Sequence, residues 1–180
     1  MRIKADECAG LVVDLQERLF PHMHGQDLLL DRVLILLEGL KVLEIPLLLT
    51  EQYPKGLGRT VDRVGEMLEP LQAIEKIAFS CCGEPDFLSA LKQEDKKRLI
   101  ICGIEAHVCV LQTVIDLIKM GITPVVVADC ISSRNPEDKK VALERMSSEG
   151  AIITTSESIL FELCSVAGTA QFKNISRLVK

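Results

Sequence analysis

The sequence predicts an α/β protein, a three-layer α/β/α sandwich around a mainly parallel sheet of about six strands. Short apolar runs alternate with longer amphipathic stretches from end to end. Most of those runs are almost continuous in Val, Ile and Leu, as strands buried on both faces of a parallel sheet must be. The chain has 180 residues, 48% of them hydrophobic, which suffices for one substantial core, and no Pro- or Ser-rich linker, repeat or low-complexity tract divides it. Residues 1–180 therefore read as a single domain.

The six strand candidates are "CAGLVVD" ending at Asp14, "IPLLLTEQ" at Gln52, "QAIEKIAF" at Phe79, "RLIICGI" at Ile104, "TPVVVADC" at Cys130 and "GAIITT" at Thr155. Helical patterns fill the spaces: about Gln26 to Glu44, Thr60 to Met67, Pro85 to Leu91, His107 to Met120 and Pro136 to Ser148. Strand followed by helix, repeated, gives right-handed βαβ crossovers. The closing stretch from Ser156 to Lys180 reads as two short helices broken near Gly168.

Bulk properties exclude several partners. A net charge of −5 with scattered Lys and Arg disfavours nucleic acid and anionic membrane, and the short run Lys96 to Arg98 reads as a solvated loop. No stretch reaches the roughly 18 uninterrupted apolar residues of a membrane span. Met1 to Glu7 is charged and the following apolar run stops at Asp14, which does not fit a signal peptide. Seven cysteines, an odd count without zinc-site spacing, read as reduced thiols. A cytoplasmic protein is the expectation. The vicinal pair Cys81 and Cys82 reads as structural or incidental.

In an open parallel sheet the ligand crevice lies beyond the carboxyl ends of the strands. Asp14, Glu51, Gln52, Lys76, Glu105 and Asp129 lie at or near such ends. Cys109 follows the fourth strand, two residues into a helix, where backbone N–H groups and the helix dipole favour thiolate and make a lowered thiol pKa the expectation. Packing as a small hydrophobe is the alternative, and on position alone both readings stand.

The segments "VVDLQ" at Val12 to Gln16, "TEQYPKGLG" at Thr50 to Gly58, "EKIAFSC" at Glu75 to Cys81 and "GIEAHVCVLQT" at Gly103 to Thr113 occur in the order and spacing of the isochorismatase-like cysteine hydrolases. The similarity continues through "VVVADCISSR" at Val125 to Arg134 and "ALERMSSEGAIITTSESILFEL" at Ala142 to Leu163, and so covers nearly the whole chain. The resemblance implies the fold of that family and a triad of Asp14, Lys76 and Cys109. It also implies a cis peptide at Ile104-Glu105 and an oxyanion hole made by the N–H groups of Glu105 and Cys109. The activity so implied is hydrolysis of a C–N bond in a small amide through an acyl-enzyme, with no cofactor. A catalytically silent binding or scaffold member of the same fold is the alternative.

Departures from the family pattern narrow the reading. The nicotinamidase branch holds a metal through Asp and His residues after the second strand. This chain has no histidine there, its three being His22, His24 and His107, so no metal is expected. Many relatives carry Thr where Ala106 stands. Isochorismatases proper lack the cysteine, so Cys109 argues against isochorismate as substrate. His22 and His24 read as a solvated loop and His107 as a helix-start residue. Gln16, Phe20, Tyr53 and Phe79 are the expected substrate contacts, with "KGLG" at Lys55 to Gly58 as a mobile rim. The apolar residues of the cysteine helix extend beyond a single stripe, which points to a homo-oligomer.

Overall fold

The computed structural model describes residues 2–180. One sheet of six parallel strands runs in the order β3-β2-β1-β4-β5-β6. The strands are β1 (Cys8–Val13), β2 (Leu47–Gln52), β3 (Ile74–Lys76), β4 (Arg98–Ile104), β5 (Thr123–Ser132) and β6 (Ile152–Thr154). Every residue of β1 and β4 is buried, which accounts for their unbroken apolar sequences. Side chains alternate between two cores: Cys8 and Val12 face one side of the sheet with Ile100 and Cys102, while Ala9, Leu11 and Val13 face the other with Leu99 and Ile101.

The helices are α1 (Gln26–Val42), α2 (Pro54–Leu57), α3 (Asp62–Leu68), α4 (Pro85–Glu94), α5 (Leu111–Lys119), α6 (Pro136–Glu149), α7 (Ser156–Cys164) and α8 (Ala170–Leu178). α1, α3, α7 and α8 cover the first core through Leu36, Val64, Leu160 and Ile175. α4, α5 and α6 cover the second through Phe87, Val114 and Met146. The closing helices separate after Cys164, and Gly168 in the break has φ +87°. No helix among the described residues is long and apolar enough to cross a membrane.

Three local expectations are corrected. The third strand stops at Lys76 instead of Phe79. It lies at the sheet edge with only β2 to pair with, and beyond Lys76 the carbonyls of Ala78 and Phe79 turn to the Lys76 ammonium. The cysteine helix opens with a π-helical turn, Ala106–Val110, before α5. The expected loop at Lys55 contains the short helical turn α2.

Strand order reverses between β1 and β4, the neighbours at the centre of the sheet. That reversal is where an open parallel sheet places its ligand site, and Asp14 and Glu105 follow the last strand residues there. Gly103 allows the two ends to meet. A Cβ there would lie 2.1 Å from the Val13 carbonyl oxygen, and its φ of +125° belongs to glycine.

Candidate active site

Asp14 leaves β1 in the left-handed region at φ 51°, a conformation that Asp tolerates better than most residues. Its N–H donates to the Thr50 carbonyl at 3.2 Å and its Oδ1 accepts from Thr50 Oγ1 at 2.8 Å. Lys76, the last residue of β3, reaches across β2 and brings Nζ within 2.7 Å of Asp14 Oδ2, with both side chains fully buried. The ammonium donates to Gln52 Oε1 at 2.7 Å and to the carbonyls of Ala78 and Phe79 at 3.2 and 3.1 Å. Oδ2 faces the ammonium directly, and side-chain hydrogen bonding to Asp14 acts on both Lys76 and Cys109.

Cys109 lies in the π-helical turn and is 6% exposed. Burial is the main force pushing its thiol well above the ordinary cysteine value; the Asp14 carboxylate adds to it and the Lys76 ammonium opposes it. The expectation of a lowered thiol pKa is therefore reversed, because desolvation and a carboxylate together outweigh the helix start. Burial alone would lower the Lys76 ammonium, but Asp14 and the neighbouring thiols carry it upward instead. At rest the sulfur reads as thiol and Lys76 as ammonium.

Hydroxyls that sequence reasoning missed tie the site together. Thr113 Oγ1 donates to the Cys109 carbonyl at 2.7 Å and accepts from the N–H of Cys81 at 2.9 Å. Thr113 sits four residues after Cys109, on the same helix face, which was the available signal. Thr50, two residues before the end of β2, had none. Burial and the charge of Asp14 push the Cys81 thiol up to about 11, so its position beside the triad leaves it an ordinary buried cysteine.

Glu105 bends the chain out of β4, and the peptide Ile104-Glu105 is cis. Its carbonyl accepts from the N–H groups of Val108 and Val110 at 3.1 and 3.2 Å.

The other expected contacts fall in different places. Gln16 is fully buried; its amide donates to the carbonyls of Gln52 and Gly58 at 2.9 and 2.8 Å and accepts from the Gln52 N–H at 2.7 Å. Phe20 packs in the α1 core, whereas Cys109 packs in the α5 core. Tyr53 and Phe79 stand more than half exposed beside Ile77. A cavity of about 230 Å³ is lined by Tyr53, Pro54, Lys55, Glu75, Ile77 and Glu84, and touches the triad only at Lys76. No cluster of three or more His, Cys, Asp or Glu able to hold a metal occurs among the described residues.

Residues 8–158 match the family model described as Isochorismatase domain. Isochorismatase family protein 1B of Dictyostelium discoideum is 37% identical over 184 residues, spanning 99% of this chain and 89% of that protein. The Caenorhabditis elegans structure described as MAR1 ribonuclease superposes with a TM-score of 0.93 at 38% identity, covering 99% of this chain and 92% of that one. Two structures of YcaC are similar. The Escherichia coli protein, described as an octameric hydrolase of unknown specificity, gives a TM-score of 0.92 at 26% identity over 99% of this chain and 90% of its own. The Pseudomonas aeruginosa protein, solved with hexane-2,5-diol and covalent acrylamide, gives 0.91 at 27% identity over 97% and 89%. With this strand order, this cluster at the centre of the sheet and these relatives, the chain belongs to the isochorismatase family and has its hydrolase fold.

Proposed function

We propose that this protein is a cysteine-dependent hydrolase that cleaves the C–N bond of a small amide without a cofactor. The observation that carries the reading is the fully buried ion pair of Lys76 and Asp14 beside the Cys109 thiol. Burying two charges costs several kcal/mol of desolvation per ion. A silent scaffold gains nothing from that cost, whereas a nucleophile held as thiol needs a base that stays ionised.

In this mechanism Cys109 Sγ attacks the amide carbonyl carbon while its proton passes to the neighbouring Asp14 carboxylate. The carbonyl electrons move onto oxygen, and the resulting oxyanion accepts from the N–H groups of Glu105 and Cys109. Collapse expels the amine, which takes the proton from Asp14 and leaves a thioester on Cys109. Water then attacks the thioester as Asp14 removes its proton, and that proton returns to sulfur as the acid leaves. Lys76 holds its ammonium 2.7 Å from Asp14 Oδ2, which orients the base for each half. Tyr53 and Phe79 supply apolar contact at the mouth, and Gln16 holds the rim through Gln52 and Gly58. Phe20 supports the segment that follows Gln16.

Net charge −5 gives no general attraction for a polyanion, so the amide is favoured over the nucleic acid that the name of the C. elegans relative suggests. Seven free cysteines suit a reducing compartment such as the cytoplasm, and the octameric state of E. coli YcaC supports a homo-oligomer here. The test is ammonia release from a panel of small primary amides, by the parent and by Cys109→Ser. Release that is abolished by the substitution supports the reading. Release that survives it ends the reading, as does an inert panel combined with an unreactive Cys109.

A further inference from the structure

The Glu105 carboxylate is held from a direction that the mechanism above does not use. Its Oε2 accepts both the backbone N–H and the Nε–H of Arg134, each at 3.1 Å. Arg134 follows the end of β5, whose Ser132 is in register with Ile104 of β4. Two residues on, the cysteine turn is tied to the same segment again, since His107 Nδ1 lies 2.9 Å from the buried Ser133 Oγ. Glu105 is thereby fixed through its carbonyl and its carboxylate.

Magnitudes argue against a purely stabilising role for the ion pair. The Arg134 side chain is 64% exposed, and pairs with an exposed partner contribute little to stability. Two donors on one carboxylate oxygen do, however, fix a direction well. Neither Glu105 nor Arg134 is among the main charges acting on the Cys109 thiol, so this pair acts on the turn more than on the nucleophile's ionisation.

We infer that Glu105 and Arg134 are positioning residues whose side-chain pair aims the Glu105 N–H at the developing oxyanion. This inference rests on the cysteine hydrolase reading and deepens it. Two thiol reagents separate its parts. When Cys109 adds to acrylamide, sulfur bonds to the terminal carbon, the alkene electrons shift toward the carbonyl oxygen, and the proton lost by the thiol ends on the carbon next to the carbonyl. Methyl methanethiosulfonate instead transfers its methylthio group to the thiolate and expels methanesulfinate, with no charge developing on a carbonyl oxygen.

The experiment measures both rates at Cys109, resolved by mass spectrometry, in the parent, Glu105→Gln, Glu105→Ala and Arg134→Ala, with melting temperatures recorded for each. Loss of a whole oxyanion donor costs about 10²–10³ in rate; a donor only misdirected should cost about tenfold. Glu105→Ala and Arg134→Ala should lower the acrylamide rate about tenfold relative to the thiosulfonate rate. Glu105→Gln keeps an acceptor in place and should retain the parent ratio. An unchanged ratio in both alanine variants, or a parallel fall in both rates, overturns the positioning role and leaves the nucleophile intact. A parent Cys109 inert to both reagents overturns the hydrolase reading and this inference with it.

Discussion

Asp14 and Lys76 act on Cys109 with opposite sign, so removing each charge should move the thiol in opposite directions. Asp14→Asn preserves size and an acceptor for Thr50 Oγ1, which donates to Oδ1 at 2.8 Å, and deletes only the negative charge. Two unit charges about 5 Å apart at an effective dielectric of about 20 interact by about 3 kcal/mol. That corresponds to about two pKa units. The Asp14 charge raises the Cys109 thiol, so its removal lowers the thiol and increases the thiolate present at neutral pH about 100-fold. Lys76→Met removes the opposing cation and should suppress the thiolate by a similar factor. The assay is iodoacetamide labelling at Cys109 between pH 6 and 10, resolved by mass spectrometry. Asp14→Asn should label faster than the parent and Lys76→Met slower, while amide hydrolysis is lost in both because one lacks the base and the other lacks the cation that pairs with it. Shifts of the same sign, or none, would refute the electrostatic account. Faster labelling together with retained hydrolysis would refute Asp14 as base.

Other predictions concern stability. Gly103→Ala sets a Cβ 2.1 Å from the Val13 carbonyl oxygen at φ +125° and should destabilise the fold by more than about 3 kcal/mol in urea titration; a midpoint within error of the parent would refute the close approach. Thr113→Val leaves the buried Cys81 N–H without its acceptor and should cost about 1–3 kcal/mol, with Thr113→Ser restoring most of it. Burial is the main cause that raises the Cys8 and Cys81 thiols from 9.0 to about 11. The folded state then binds more protons than the unfolded state once the pH exceeds about 9. The stability these thiols contribute is full below that value and is lost as pH rises toward 11, by up to about 1.4 kcal/mol per pH unit for the fully buried Cys81. Chemical denaturation at pH 8 and 10.5 measures the loss; equal stability at the two values would contradict the burial of these thiols.

The central strands were legible because β1 and β4 are covered on both faces and their sequences are forced to be apolar throughout. The edge was less so. Apolar character continues through Ile77 and Phe79, yet both are exposed, and the backbone there serves the Lys76 ammonium in place of a ladder. Asp14, Lys76 and Cys109 were found through a motif, and the sheet brings Asp14 and Lys76 into one buried pair beside the cysteine's turn. What spacing could not convey was the balance of forces on sulfur. A helix start suggests a thiolate, and only burial and the nearby carboxylate reverse the sign. Phe20 shows the same limit of distance along the chain. It stands six residues from Asp14 but lies on the other side of the sheet from Cys109. The Glu105 and Arg134 pair joins two strand ends and leaves no trace in either segment alone.

The sheet order divides the molecule evenly: β1, β2 and β3 all precede the turn at Asp95, and β4, β5 and β6 all follow it. Asp14 and Lys76 belong to the first half and Cys109 to the second. A chain cut at that turn would place base and cation on one piece and nucleophile on the other, joined through the β1 and β4 ladder and through the packing of α1 against β5, α7 and α8. Reactivity at Cys109 is then a property of the seam between the halves, and a split pair of fragments would report their reassociation through that single thiol.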